Sequence, residues 1–77
     1  MTRPQKHSLT LKGHRTSVSL EPEFWRAFQQ LAERQGMGIN EMATQIDLTR
    51  GDRGLASAIR LAVLADLQDQ SARPKQT

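Results

Sequence analysis

The chain has 77 residues, no cysteine, 36% hydrophobic and 25% charged residues, and a formal charge of +3. That is room for one small domain, and it excludes a two-domain enzyme and a disulfide-stapled fold. A chain this short buries only about 60% of the surface that its unfolded form exposes, so a marginal core of this kind needs a metal or a second subunit.

A metal is not the expected solution. His7 and His14 lie in the polar N-terminal stretch with no H-x-x-x-H or Cys/His cluster around them, so neither a structural zinc site nor a cofactor is expected. Oligomerisation remains. The longest apolar run, Leu61 to Ala65, is far short of the ~20 residues of a membrane span, and Met1 to Gly13 has no apolar core like a signal peptide's. The reading is a cytoplasmic protein without a membrane partner.

Charge is distributed unevenly. Met1 to Arg15 carries Arg3, Lys6, Lys12 and Arg15 with no acid, whereas Thr16 to Ala72 holds eight acids against five arginines. Arg73 and Lys75 make the C-terminal tail positive again. A basic arm on an acidic body suits a polyanion such as DNA, RNA or an anionic membrane, or serves simply as a solubilising leader.

In chain order, the polar, Pro-containing opening to about His7 reads as disordered. Leu9 and Leu11 then sit two apart, and Arg15 to Leu20 alternates, with Thr16, Val18 and Leu20 on one face and Arg15, Ser17 and Ser19 on the other. That is a strand. Glu21-Pro22-Glu23 opens a first helix over residues 22–35, because Pro is favoured at the first helical position and acids suit the positive end of the helix dipole. Phe24, Phe28, Leu31 and Ala32 form its apolar stripe, and Gly36 is a C-cap. After the Gly36-Met37-Gly38 turn, Ile39, Met42, Ala43 and Ile46 mark a second helix over residues 39–48, with Gly38 as N-cap and Glu41 able to reach back to a free N–H. Thr49 to Gly54 is a polar loop. Leu55, Ile59, Ala62, Val63 and Leu67 define a third helix over residues 55–69.

A lone strand leaves its backbone groups unpaired and its apolar face uncovered. The same strand from a second chain, antiparallel about a two-fold axis, would supply both needs. So would an internal hairpin folding Leu9 to Leu11 back on Val18 to Leu20 through Lys12-Gly13-His14, and the two arrangements are compatible.

The order strand, helix, glycine turn, helix resembles the ribbon-helix-helix superfamily of the Arc and MetJ type. So do the stretches Gly13-His14-Arg15-Thr16-Ser17-Val18-Ser19-Leu20-Glu21, Glu23-Phe24-Trp25, Ile39-Asn40-Glu41 and Leu55-Ala56-Ser57-Ala58-Ile59-Arg60, which are similar to a small bacterial subfamily with an additional C-terminal helix. The likeness runs from Lys12 to about Leu67 and departs at the Thr49 to Gly54 loop, where simpler members continue the second helix. It implies a mostly α fold with one N-terminal strand: a homodimer with an intersubunit two-stranded ribbon and three helices per chain. The divisions are then a basic arm at 1–11, possessing at most a short extra strand, the domain at 12–69, and a disordered basic tail at 70–77.

The resemblance further implies that the ribbon enters the major groove of double-stranded DNA, with Arg15, Ser17 and Ser19 on base edges. Arg can donate twice to guanine, and Ser lets the backbone approach closely. Phosphates would be met by the N–H groups of Gly38, Ile39 and Asn40 at the start of the second helix, and by Lys12 and His14 beside the ribbon. Val18, Leu20, Phe24, Phe28, Met42 and Ile46 are the expected dimer core, joined by Ile59. Trp25 is expected against the third helix or as an anchor for a partner protein, and Arg50 and Arg53 are either solvated or contacts to DNA or another subunit. The expected role is a non-enzymatic transcriptional repressor or autoregulator. The alternative is a protein-interaction module, such as an antitoxin or accessory subunit, that binds a partner through the third helix and the tail.

Overall fold

The computed structural model describes residues 3–72, with the elements β1 (Gln5–Leu11), β2 (His14–Leu20), α1 (Pro22–Arg34), α2 (Ile39–Thr49) and α3 (Leu55–Ala72). Arg73 and Lys75 of the expected tail lie outside the described residues. Residues 70–72, expected in that tail, are the last residues of α3.

The strands form an antiparallel hairpin, β1 against β2, in which Leu11 pairs with His14 and Gln5 with Leu20. Of the two compatible pairings open to β2, the internal one is present within the chain: β1 lies along one edge of β2. Pairing also begins earlier than expected, since Gln5 to His7 are strand and not a structureless leader. The connection is a two-residue turn with φ of +51° at Lys12 and +80° at Gly13. Two left-handed residues in succession give the turn geometry whose twist matches that of the flanking strands, so the hairpin closes without splaying.

Alternation sends one face of the hairpin inward. Leu9, Val18 and Leu20 are buried and join Phe28, Ala43, Ile46, Ala58, Ile59 and Val63 in one core, with Phe24, Trp25, Ile39, Met42 and Leu55 packed partly buried around it. The inner face is not purely apolar. His7 lies opposite Val18, and its ring stacks on Trp25 with centroids 3.8 Å apart and planes 3° from parallel. Trp25, expected on the third helix, thus carries β1 on its face, and it meets Phe28 at 5.9 Å on the same helix.

The helices end where local chemistry stops them. Gly36, at φ +70°, donates its N–H to the Glu33 carbonyl at 3.0 Å, and the Met37 N–H reaches the Ala32 carbonyl at 2.9 Å. This Schellman arrangement satisfies carbonyls left over at the end of α1. Gly38 is the N-cap of α2. Arg34 pairs with Asp66, which also accepts from Gln70 at 2.9 Å, so the far ends of α1 and α3 are tied by polar groups. The apolar stripe of α3 stops short of them: Leu67, expected inside, is 50% exposed.

Arg60 of α3 joins the third helix to the junction between ribbon and α1. Its Nε and Nη2 donate to Glu21 Oε1 at 3.1 and 2.9 Å, Nη2 also points at the Ser19 carbonyl at 3.4 Å, and the guanidinium lies 5.7 Å from the centre of the Phe24 ring. The Glu21 carboxyl is held below its ordinary value of 4.5, first by its own backbone N–H and then by the Arg60 hydrogen bond, with burial opposing them and the Arg60 charge adding the smallest effect.

Two measurements check this packing. Leu9→Ala removes a core side chain of β1 and should cost about 2–5 kcal/mol in urea unfolding, with the range set by how far the site collapses. A cost no larger than that of an exposed Ser8→Ala would contradict a β1 built into the core. The depressed Glu21 acidity means that its stabilisation is complete above the unfolded value of 4.5 and is lost as pH falls through the lower folded value. The urea midpoint should therefore drop as the pH is lowered from 4.5 by more in the wild type than in Glu21→Gln, a small difference because the pair is partly solvated.

Candidate nucleic-acid interface

The face of the hairpin turned away from the helices consists of three cross-strand pairs, Lys6 with Ser19, Ser8 with Ser17, and Thr10 with Arg15, all six side chains exposed. Every side chain on it is polar and short, or cationic. No Asp or Glu occurs from Gln5 to Leu20, while Lys6, Lys12 and Arg15 fall in that stretch. On the body the situation is reversed, with Arg34, Arg50 and Arg60 paired to Asp66, Asp47 and Glu21. Positive charge therefore stands uncompensated on the ribbon and is offset on the helices, a distribution that draws a polyanion to one side of the molecule.

Backbone groups at the two rims of the ribbon follow from the turn. In a hairpin closed by a two-residue turn, the flanking Leu11 and His14 exchange hydrogen bonds, so strict alternation leaves the Thr10–Arg15, Ser8–Ser17 and Lys6–Ser19 pairs with N–H and C=O directed outward. Two of these rim groups are engaged by helix side chains. The Thr10 N–H donates to Asn40 Oδ1 at 2.9 Å, and the Ser19 carbonyl faces Arg60. The first contact sets the start of α2 against the β1 rim. The Asn40 carbonyl accepts from Thr44 Oγ1 at 2.8 Å, which steadies the same turn.

The residues expected on DNA can now be placed. Arg15, Ser17 and Ser19 stand together on the outward face, and Lys12 and His14 are exposed at its turn end. Gly38, Ile39 and Asn40 form the start of α2, where Gly38 and Asn40 are exposed and Ile39 is half-buried against the core. Helical bonding begins with the Met42 N–H to the Gly38 carbonyl at 2.9 Å, so the N–H groups of the preceding helical residues have no acceptor within the helix. The Asn40 side chain is occupied by β1, which leaves its backbone N–H at the exposed start of α2. Val18, Leu20, Phe28 and Ile46 are buried, and Phe24 and Met42 half-buried, within the core of the single chain.

Lys6 and Ser8, in or beside the opening expected to be structureless, and Thr10, between Leu9 and Leu11, share the outward face with Arg15, Ser17 and Ser19. The available signal was alternation continued one step back from Leu11 and Leu9 to His7. Arg50 is engaged locally: Nε meets Asp47 Oδ1 at 2.6 Å and Nη1 meets the Arg53 carbonyl at 2.6 Å, so this guanidinium braces the loop after α2. Among the described residues, no three His, Cys, Asp or Glu side chains come together as a metal site, and no helix is long and apolar enough to cross a membrane.

No curated protein and no solved structure matches the chain. The family model described as a ribbon-helix-helix domain matches residues 4–67, which takes in both strands, α1, α2 and most of α3. With most of its length matched, the chain belongs to the ribbon-helix-helix domain family, whose members are generally non-enzymatic DNA-binding transcription regulators or antitoxins.

Proposed function

We propose that this protein is a homodimeric, sequence-specific DNA-binding protein of the cytoplasm that represses or autoregulates transcription, laying its ribbon in the major groove. The observation that carries the reading is the two-sidedness of the hairpin: Leu9, Val18 and Leu20 hold it to the helices, while the opposite face is wholly polar, exposed and without acid. Such a ribbon has the dimensions that the groove admits, and Arg15 can donate to guanine O6 and N7 while Ser17 and Ser19 donate or accept at close range. The start of α2, fixed beside the ribbon by Asn40, offers N–H groups and a positive dipole end to a phosphate. Lys12 and His14 at the turn add phosphate contacts outside the base-reading pairs.

Self-association is supported by the surface of the helices. Leu48, Leu61, Leu64 and Leu67 are 45–59% exposed, an unusual amount of aliphatic surface for so small a body. The same leucines favour a second reading, in which α3 docks a protein partner and the chain serves as an antitoxin or accessory subunit. The two readings differ in a simple observable, since only the first requires a preferred DNA sequence.

Capture of genomic fragments at near-physiological salt, with excess competitor DNA, should enrich one short site. At that site Arg15→Ala should cost about 1–3 kcal/mol and relax the preference at one base pair, whereas Lys12→Ala should weaken all sequences alike and lower the salt slope by about 0.9. An Arg15→Ala protein with unaltered affinity and sequence preference would remove the base-contact assignment. Absence of enrichment together with a stable protein complex would leave the partner-binding reading.

A further inference from the structure

We infer that β1 is a phosphate-binding flank of the two-chain ribbon: Lys6, Ser8 and Thr10 meet the DNA backbone along the groove wall, outside the bases that Arg15, Ser17 and Ser19 read. This role rests on the homodimeric DNA-binding reading above and adds to it a strand to which that reading gives no contact.

Topology puts β1 on the outside. The base-reading residues lie on β2, and β1 occupies one of its two edges, with Ser8 opposite Ser17 and Thr10 opposite Arg15. In the two-chain ribbon that the family implies, the strand of the second copy adjoins β2 at the remaining edge, which leaves the β1 strands outermost.

Width then separates the roles of the two strands. Neighbouring strands about 4.8 Å apart put each β2 about 2.4 Å from the two-fold axis and each β1 about 7 Å from it. The major groove is about 12 Å wide, so its walls stand about 6 Å to either side of its centre. The β2 strands fit between the walls and face base edges, whereas the β1 strands fall at the walls, where the phosphates are.

The chemistry of β1 suits that place. Lysine is a compact point charge without the planar fork that reads guanine, and it binds phosphate in that form. Serine and threonine hydroxyls and strand N–H groups are likewise phosphate donors. The alternation set by the turn directs the Lys6 and Ser8 N–H groups to the outer rim, so side-chain and backbone donors face the wall together. No carboxylate between Gln5 and Leu20 opposes them.

The flank is also fixed before DNA arrives. Leu9 is 2% exposed in the core, the His7 ring is stacked on Trp25 at 3.8 Å, and the Thr10 N–H donates to Asn40 Oδ1 at 2.9 Å. The last contact brings the rim of β1 and the start of α2 into one edge. Donors held in this way lose little freedom on binding.

The test compares wild type with Lys6→Gln on the duplex recovered by selection and on an unrelated duplex. Near 0.15 M salt both duplexes should be weakened by the same factor, about 5-fold for each chain bound, with the salt slope lowered by about 0.9 per chain. Selection repeated with the variant should return the wild-type sequence. Neutral methylphosphonate linkages placed singly along the site locate the contact, since one beside the bases read by β2 should weaken wild type and leave Lys6→Gln unaffected. Ser8→Glu, which puts a carboxylate on the same rim, should weaken both duplexes further while its urea midpoint stays near that of the wild type. Wild-type affinity and salt slope in both variants would overturn the inference, and so would a different base preference in Lys6→Gln, which would make β1 a reader of bases. A wild type that selects no sequence is a separate result, seen without either variant: it removes the DNA-reading function and this role of β1 with it.

Discussion

The pairing of β1 with β2 is the constraint from which the rest of the structure follows. It converts two strands that could not stand alone into a twisted ribbon with one apolar and one polar face, and it satisfies the backbone along their shared edge. The apolar face then gives three short helices something to cover, and Leu9, Val18 and Leu20 meet Phe28, Ile46, Ile59 and Val63. The polar face is exposed for the same reason that the apolar face is buried, since period-two alternation allocates both at once. Core and candidate interface are two sides of one layer.

Charge is organised around that layer. Three body arginines are paired with carboxylates, all in ways that brace the fold: Arg34 ties the far ends of α1 and α3, Arg50 holds the loop after α2, and Arg60 ties α3 to the junction between β2 and α1. The ribbon has no carboxylate of its own. The small domain thereby keeps a cationic side without a large net charge, which would strain a marginal core through self-repulsion.

Much of this was legible in the sequence. The helices show their stripes at spacings of three and four, and Gly36 and Gly38 mark the turn between α1 and α2 because each occupies a position that a cap requires. Thr16, Val18 and Leu20 show the inner face of β2 directly. The beginning of β1 was harder to read, because His7 occupies an inward position where an aliphatic residue would have continued the pattern. Its ring is accommodated by stacking on Trp25, a contact between residues 18 positions apart that no local periodicity records. Leu67 misled in the opposite direction, since it continues the stripe of α3 beyond the point where the body is deep enough to cover it. The side-chain bonds from Asn40 and Arg60 to the strand rims are likewise tertiary facts, visible only once β1 is in place.

The turn of the hairpin carries a consequence for how the protein can vary. Lys12 has φ +51°, a region where asparagine or glycine is at ease and a lysine costs about 1 kcal/mol. Replacing it with asparagine would relax the backbone, and would also remove one exposed charge from the turn end of the cationic side. Natural selection at this position therefore weighs two quantities that cannot be improved together, the strength of the fold and the reach of its electric field. A lysine here places the molecule toward the second, in a domain whose small core leaves little stability to spare.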